Sequence, residues 1–128
     1  MKLVVIEDGS DIVAELWAIQ DRAASSILSY PEGRAALAAA RRSARLSGDG
    51  HAQAVADLDD LQRELLVVCV DRPLALHAGE LAEELGLGGY DAVHLASAIA
   101  LGAGTLVTWD RDLSRAARRQ GLAVAPGI

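Results

Sequence analysis

A chain of 128 residues that is 52% apolar is long enough for one packed domain and too hydrophobic for intrinsic disorder. Its net charge of −6, from 12 basic and 18 acidic side chains, excludes a protein that coats nucleic acid by charge alone. It leaves room for one that cuts nucleic acid in a locally positive groove. Two Trp, two Tyr and no Phe leave no stacking platform for single strands.

In chain order, Lys2 to Ile6 is a short β-branched run and reads as a strand. Glu7 and Asp8 cut the run too short for a signal-peptide core, and no stretch approaches the roughly 20 apolar residues that a bilayer requires. A cytoplasmic protein with no membrane association is expected. Ser10 can cap a helix bearing Ile12, Val13, Leu16, Trp17 and Gln20. Ala23 to Leu28 is a weaker, Ala- and Ser-rich strand. Ser29-Tyr30-Pro31-Glu32 then predicts a helix with Ser29 as N-cap, Pro31 in the first turn and Glu32 at N3, running to about Leu46. After Ser47-Gly48-Asp49-Gly50, a helix spans about His51 to Glu64.

Leu65 to Val70 is an unbroken apolar run suited to a strand covered on both faces, which would bury the lone cysteine, Cys69. A single cysteine makes no internal disulfide. Asp71 caps a helix with Pro73 in its first turn and Gly86 at its end. Gly88-Gly89 precedes a helix from Tyr90 to Leu101 that is apolar on most faces and therefore central. Gly102 and Gly104 close it; Thr105 to Trp109 is a strand; Arg111 to Gln120 is a basic helix ended by Gly121. Leu122 to Ala125 is the last strand. Strands alternating with helices predict an α/β sandwich on a mostly parallel sheet.

Sites on such sheets lie at the carboxyl ends of the strands. Asp110 directly follows the strand at 105–109, Glu32 follows that at 23–28, and Asp91 opens the helix preceding the former. Three converging carboxylates repel one another unless a cation neutralises them, and Mg²⁺ or Mn²⁺ is the hard ion suited to oxygen ligands. Each acid also has a local structural reading: Glu32 in a capping box, Asp91 at a helix dipole, Asp110 as an N-cap. Thr108 would share a strand face with Asp110 and position a water or a carboxylate, and Asp112 could add a fourth acid. His94, three positions after Asp91, reads as a packed, hydrogen-bonded histidine rather than a general base. His51, His77 and His94 lack zinc-ligand spacing. Arg41, Arg42 and Arg45 end one helix, while Arg111, Arg115, Arg118 and Arg119 line another; both read as solvated faces or partners of the helix dipole, though the second starts beside Asp110 and could hold nucleic-acid phosphates.

Gly89-Tyr90-Asp91-Ala92-Val93-His94-Leu95-Ala96, followed by Leu106-Val107-Thr108-Trp109-Asp110-Arg111-Asp112-Leu113, resembles the PIN-domain nucleases, and more narrowly the VapC-type toxins of bacterial toxin–antitoxin pairs. Ser26 to Ala38 is similar to the segment carrying that family's second acid, which falls on Glu32. The resemblance extends from Lys2 onward and implies one PIN-like domain over residues 1–128, a three-layer sandwich with Mg²⁺-dependent endoribonuclease activity. By the same token it implies an RNA substrate such as tRNA, a cognate antitoxin that blocks the site, and a homodimer. The metal set implied is Glu32, Asp91 and Asp110.

The resemblance departs at the start. The family opens with a strand ending in Asp-x-Ser or Asp-x-Thr, whereas Lys2 to Val5 and Glu7 to Asp11 look like the segment that follows it. The expectation is a sheet lacking that central strand and its acid. Asp8-Gly9-Ser10 offers the alternative, with Asp8 as the substitute ligand across a short first crossover. A second function follows from the departure: a catalytically impaired PIN-like module whose helices around Leu37 and Leu58 receive an antitoxin peptide.

Overall fold

The computed structural model describes residues 3–6, 22–108 and 110–125. Within them the strands are β1 (Leu3–Ile6), β2 (Arg22–Ser26), β3 (Leu66–Val68), β4 (Thr105–Val107) and β5 (Ala123–Ala125). The helices are α1 (Ser29–Arg42), α2 (Gly48–Glu64), α3 (Arg72–Leu85), α4 (Gly89–Ala100) and α5 (Arg111–Arg119). The predicted helix from Ser10 to Gln20, Asp8 and Trp109 lie outside the described residues.

All strand pairs are parallel, in the order β3-β2-β1-β4-β5. Leu3–Ile6 therefore occupies the middle of the sheet, the place the sequence reading expected to be vacant; its Val4 pairs with Ala23 on one side and Thr105 on the other. Flanked by β2 and β4, it marks the point where strand order reverses, the usual location of a site in an open α/β sheet.

Helix α4 is the axle of the packing. Six of its residues, Ala92, His94, Leu95, Ala96, Ser97 and Ala98, are buried, because it lies against β1, β2, β4, α3 and α5 at once. Helices buried on most sides must be apolar on most sides, as the sequence indicated. Small residues on α4 and on β2 (Ala24, Ser25 and Ser26) line this interior, and Leu95, Leu106 and Leu113 are its largest enclosed apolar side chains. On the flank, α1 and α2 pack on each other without a fully buried residue. They approach at Gly33, where an added Cβ would lie 3.0 Å from a Leu58 methyl.

Three local readings need correction. Ser29 is not the N-cap of α1: Leu28 takes that position, and the Ser26 hydroxyl accepts from the Leu28 N–H, turning the chain one residue earlier. The same helix stops at Arg42 instead of Leu46, with Ala44 in the left-handed region at φ 62° and Ser47 already capping α2. Finally, Leu66–Val68 is an edge strand, with Leu66 exposed and its neighbours half-buried, so Cys69 is exposed and not buried. An apolar run identifies a strand; it does not say how many neighbours that strand has.

Candidate active site

Two of the acids are set by helix starts. At Asp110, Oδ1 accepts from the Leu113 N–H at 2.8 Å, capping α5. The preceding Thr108 is wholly enclosed, and its Oγ1 accepts from the Asp110 N–H at 3.0 Å. The threonine hydroxyl thus holds the turn that presents Asp110. Asp91 opens α4 behind Gly88, whose extended backbone starts the helix without a side-chain cap.

Glu32 lies in the first turn of α1, directed by the Ser26–Leu28 turn at the end of β2. Its side chain is 36% exposed, and Oε2 lies 3.4 Å from Nε2 of His94, whose side chain is 0% exposed. His94 is therefore the packed, hydrogen-bonded histidine that the sequence indicated. Its partner, 62 residues away, was not readable there. Ser26 was also missed; a polar residue at the carboxyl end of a strand was the only available signal.

The acids sense one another. Asp91 has its carboxyl raised above the ordinary carboxylate value, first by partial burial and next by the negative charge of Asp110. His94 pulls the other way, while Glu32 and Asp112 add to the rise. Asp112 itself is exposed and sits 3.9 Å from the Arg115 guanidinium, an i,i+3 surface pair. Arg111 and Arg115 are both exposed on α5, and Arg118 and Arg119 occupy its last turn, where they complement the helix dipole.

Among the described residues no group of three or more His, Cys, Asp and Glu is gathered closely enough to hold a metal ion by itself, although Asp110, Glu32 and Asp112 all lie near enough to act on Asp91. Each of the two engaged carboxylates uses one oxygen: Asp110 Oδ1 in its cap and Glu32 Oε2 toward His94.

Residues 2–119 match the family model of the PIN domain. The chain belongs to the PIN-domain family. It is 44% identical over 128 residues to Ribonuclease VapC45 of Mycobacterium tuberculosis (strain CDC 1551 / Oshkosh), an alignment spanning 98% of this chain and 89% of that protein. Among solved structures it resembles PAE2754 from Pyrobaculum aerophilum, with TM-score 0.72 and 27% identity over 97% of this chain and 89% of that one. The fold is also that of VapBC-1 from nontypeable Haemophilus influenzae, with TM-score 0.65 and 18% identity over 97% and 96% of the two chains. The resemblance read in the Asp91 and Asp110 segments is thereby borne out, as is the PIN-like α/β sandwich.

Proposed function

We propose that this PIN-domain chain is a metal-dependent endoribonuclease, the toxin of a toxin–antitoxin pair, acting on RNA such as tRNA in the cytoplasm. The observation that carries the reading is the clustering of acids at strand ends and helix starts beside the reversal point of the sheet, where Asp91, raised first by partial burial, also feels the negative charge of Asp110, Glu32 and Asp112. Such a set of oxygens suits Mg²⁺, with Mn²⁺ as a substitute. Mg²⁺ commonly keeps several waters and needs only one or two protein carboxylates, so a loosely gathered set fits it better than a closed cage would.

Asp91 and Asp110, with Glu32, would hold the ion directly or through water, and Asp8 remains a further candidate ligand. When bound, Mg²⁺ supplies a polarised water and stabilises charge on the scissile phosphate. The protein's own contribution is positional. Thr108 and the α5 cap fix the Asp110 backbone, α4 holds Asp91 half-buried, and Arg111 and Arg115 offer cations to the RNA backbone next to Asp110.

An antitoxin partner is supported by the name VapBC of the Haemophilus neighbour and by the α1–α2 pair. Beside that pair runs a shallow cavity of about 410 Å³ lined by Ile27, Tyr30, Pro31, Asp59, Gln62 and Arg63. Leu76 and Tyr90, 62% and 66% exposed, are the candidate anchors of a homodimer. No described helix is long and apolar enough to cross a membrane. The second reading is an impaired PIN-like module that binds the antitoxin without cutting RNA, and the α1–α2 pair, which has no fully buried residue, suits it equally.

The deciding experiment is incubation of a mixed tRNA pool with the folded protein in Mg²⁺ or Mn²⁺, with EDTA and Asp91→Asn controls. Discrete cuts, lost in EDTA and in the variant, are expected. No cutting at any metal concentration, from protein shown to be folded, establishes the binding-module reading instead.

A further inference from the structure

His94 is an uncommon group to enclose completely. A buried imidazole must place its proton where an acceptor waits, since a stranded N–H loses its hydration without return. Here Nδ1 is enclosed with no partner, whereas Nε2 faces the Glu32 carboxylate at 3.4 Å. The proton therefore belongs on Nε2, which donates to Oε2. The ring is fully enclosed, on a helix with six buried residues. Glu32 is the opposite: a flexible side chain, more than a third exposed, that loses rotamer freedom only if something fixed holds it.

We propose that His94 is a positioning residue for Glu32: its Nε2–H ties down Oε2 and leaves Oε1 for the centre shared with Asp91 and Asp110. The inference rests on the nuclease reading above and gives His94 a role distinct from that of a general base. With Nε2 engaged and Nδ1 enclosed, neither ring nitrogen is available to RNA. An outer partner that orients a ligand in this way typically accounts for about 10- to 100-fold in metal affinity or activity.

The first test needs no metal and no substrate. In ¹⁵N-imidazole NMR spectra of the full chain, the His94 proton is expected on Nε2, and Glu32→Ala should move that resonance. A proton on Nδ1, or an Nε2 signal indifferent to Glu32→Ala, overturns the proposal. The second test uses the reach of two amides: the side-chain nitrogen of Gln mimics Nε2, that of Asn mimics Nδ1. His94→Asn should weaken Mn²⁺ binding, read by electron paramagnetic resonance, and lower kcat on the tRNA pool by about 10-fold or more with KM little changed. His94→Gln should recover most of that loss. Equal losses in the two variants, at equal thermal stability, reduce His94 to packing and refute the role. A wild type that neither binds Mn²⁺ nor cuts overturns the nuclease reading, and with it the role, while the NMR result still decides whether the clasp exists.

Discussion

Asp110 caps a helix and, in the proposed function, also serves the metal site; one pair of substitutions can separate the two. As N-cap, its Oδ1 receives the Leu113 N–H at 2.8 Å and starts a helix of nine residues that buries Leu113, Ser114, Ala116 and Ala117. Asp110→Ala removes the acceptor, a loss of about 1 kcal/mol within a range of roughly 0.5–2. Asp110→Asn keeps an acceptor that caps about as well and gives up only the interaction with the helix dipole, roughly 0.3–1 kcal/mol at an exposed site. That loss is offset in part because a negative charge that destabilises ionised Asp91 disappears with it. Near this chain length about 1 kcal/mol moves Tm by roughly 4 °C. Without divalent metal, Asp110→Ala should therefore melt about 4 °C lower, and Asp110→Asn within about 2 °C of wild type. Urea unfolding supplies the free energies and a check that the slope is unchanged. Cleavage should separate the roles the other way, with both variants losing more than about 100-fold, beyond the effect of an outer-shell partner. Wild-type cutting by Asp110→Asn refutes the carboxylate's part in the site; an Asn variant as unstable as the Ala variant refutes the cap argument.

The raised Asp91 carboxyl makes a pH prediction opposite to that for a salt-bridged aspartate. The folded state holds this proton more tightly than the unfolded chain, whose reference value is 3.8, so metal-free stability contributed by Asp91 falls as pH rises from there through the folded value and then levels off. Asp91→Asn should lack that decline; parallel stability–pH curves for the two proteins in urea titrations would contradict it. Leu113→Ala, in a fully enclosed position, should cost roughly 2–5 kcal/mol by chemical denaturation. Exposed Cys69 should react with a thiol reagent in the native protein nearly as fast as in the unfolded chain, and strong native protection would restore the buried reading.

Punctuation residues made much of the fold legible. Asp71 and Asp110 cap their helices through their own side chains, and Gly86 ends α3 at φ 68°, each a local rule obeyed locally. The apolarity of residues 92–98 likewise announced a central helix. Position in the sheet was harder to read, because Leu66–Val68 has the composition of an interior strand and the pairing of an edge. In the site, Asp91 and Asp110 could be associated through the topology rule for strand ends. The contact between Glu32 and His94 could not, since it depends on how deeply α4 seats against the end of β2.

The miniature scale of the interior has a further consequence. Beneath the acids, Ser25, Ser26, Ser97 and Ser114 are each 0–1% exposed, alongside Ala24, Ala92 and Ala96. Side chains this small put few atoms between helix and sheet to yield. Such an interior has little volume to forfeit by truncation and no slack to absorb enlargement, which forces neighbours off their rotamers. Its mutational landscape should therefore be inverted with respect to a leucine-rich core, with added methylenes under the acidic edge more damaging than removed ones.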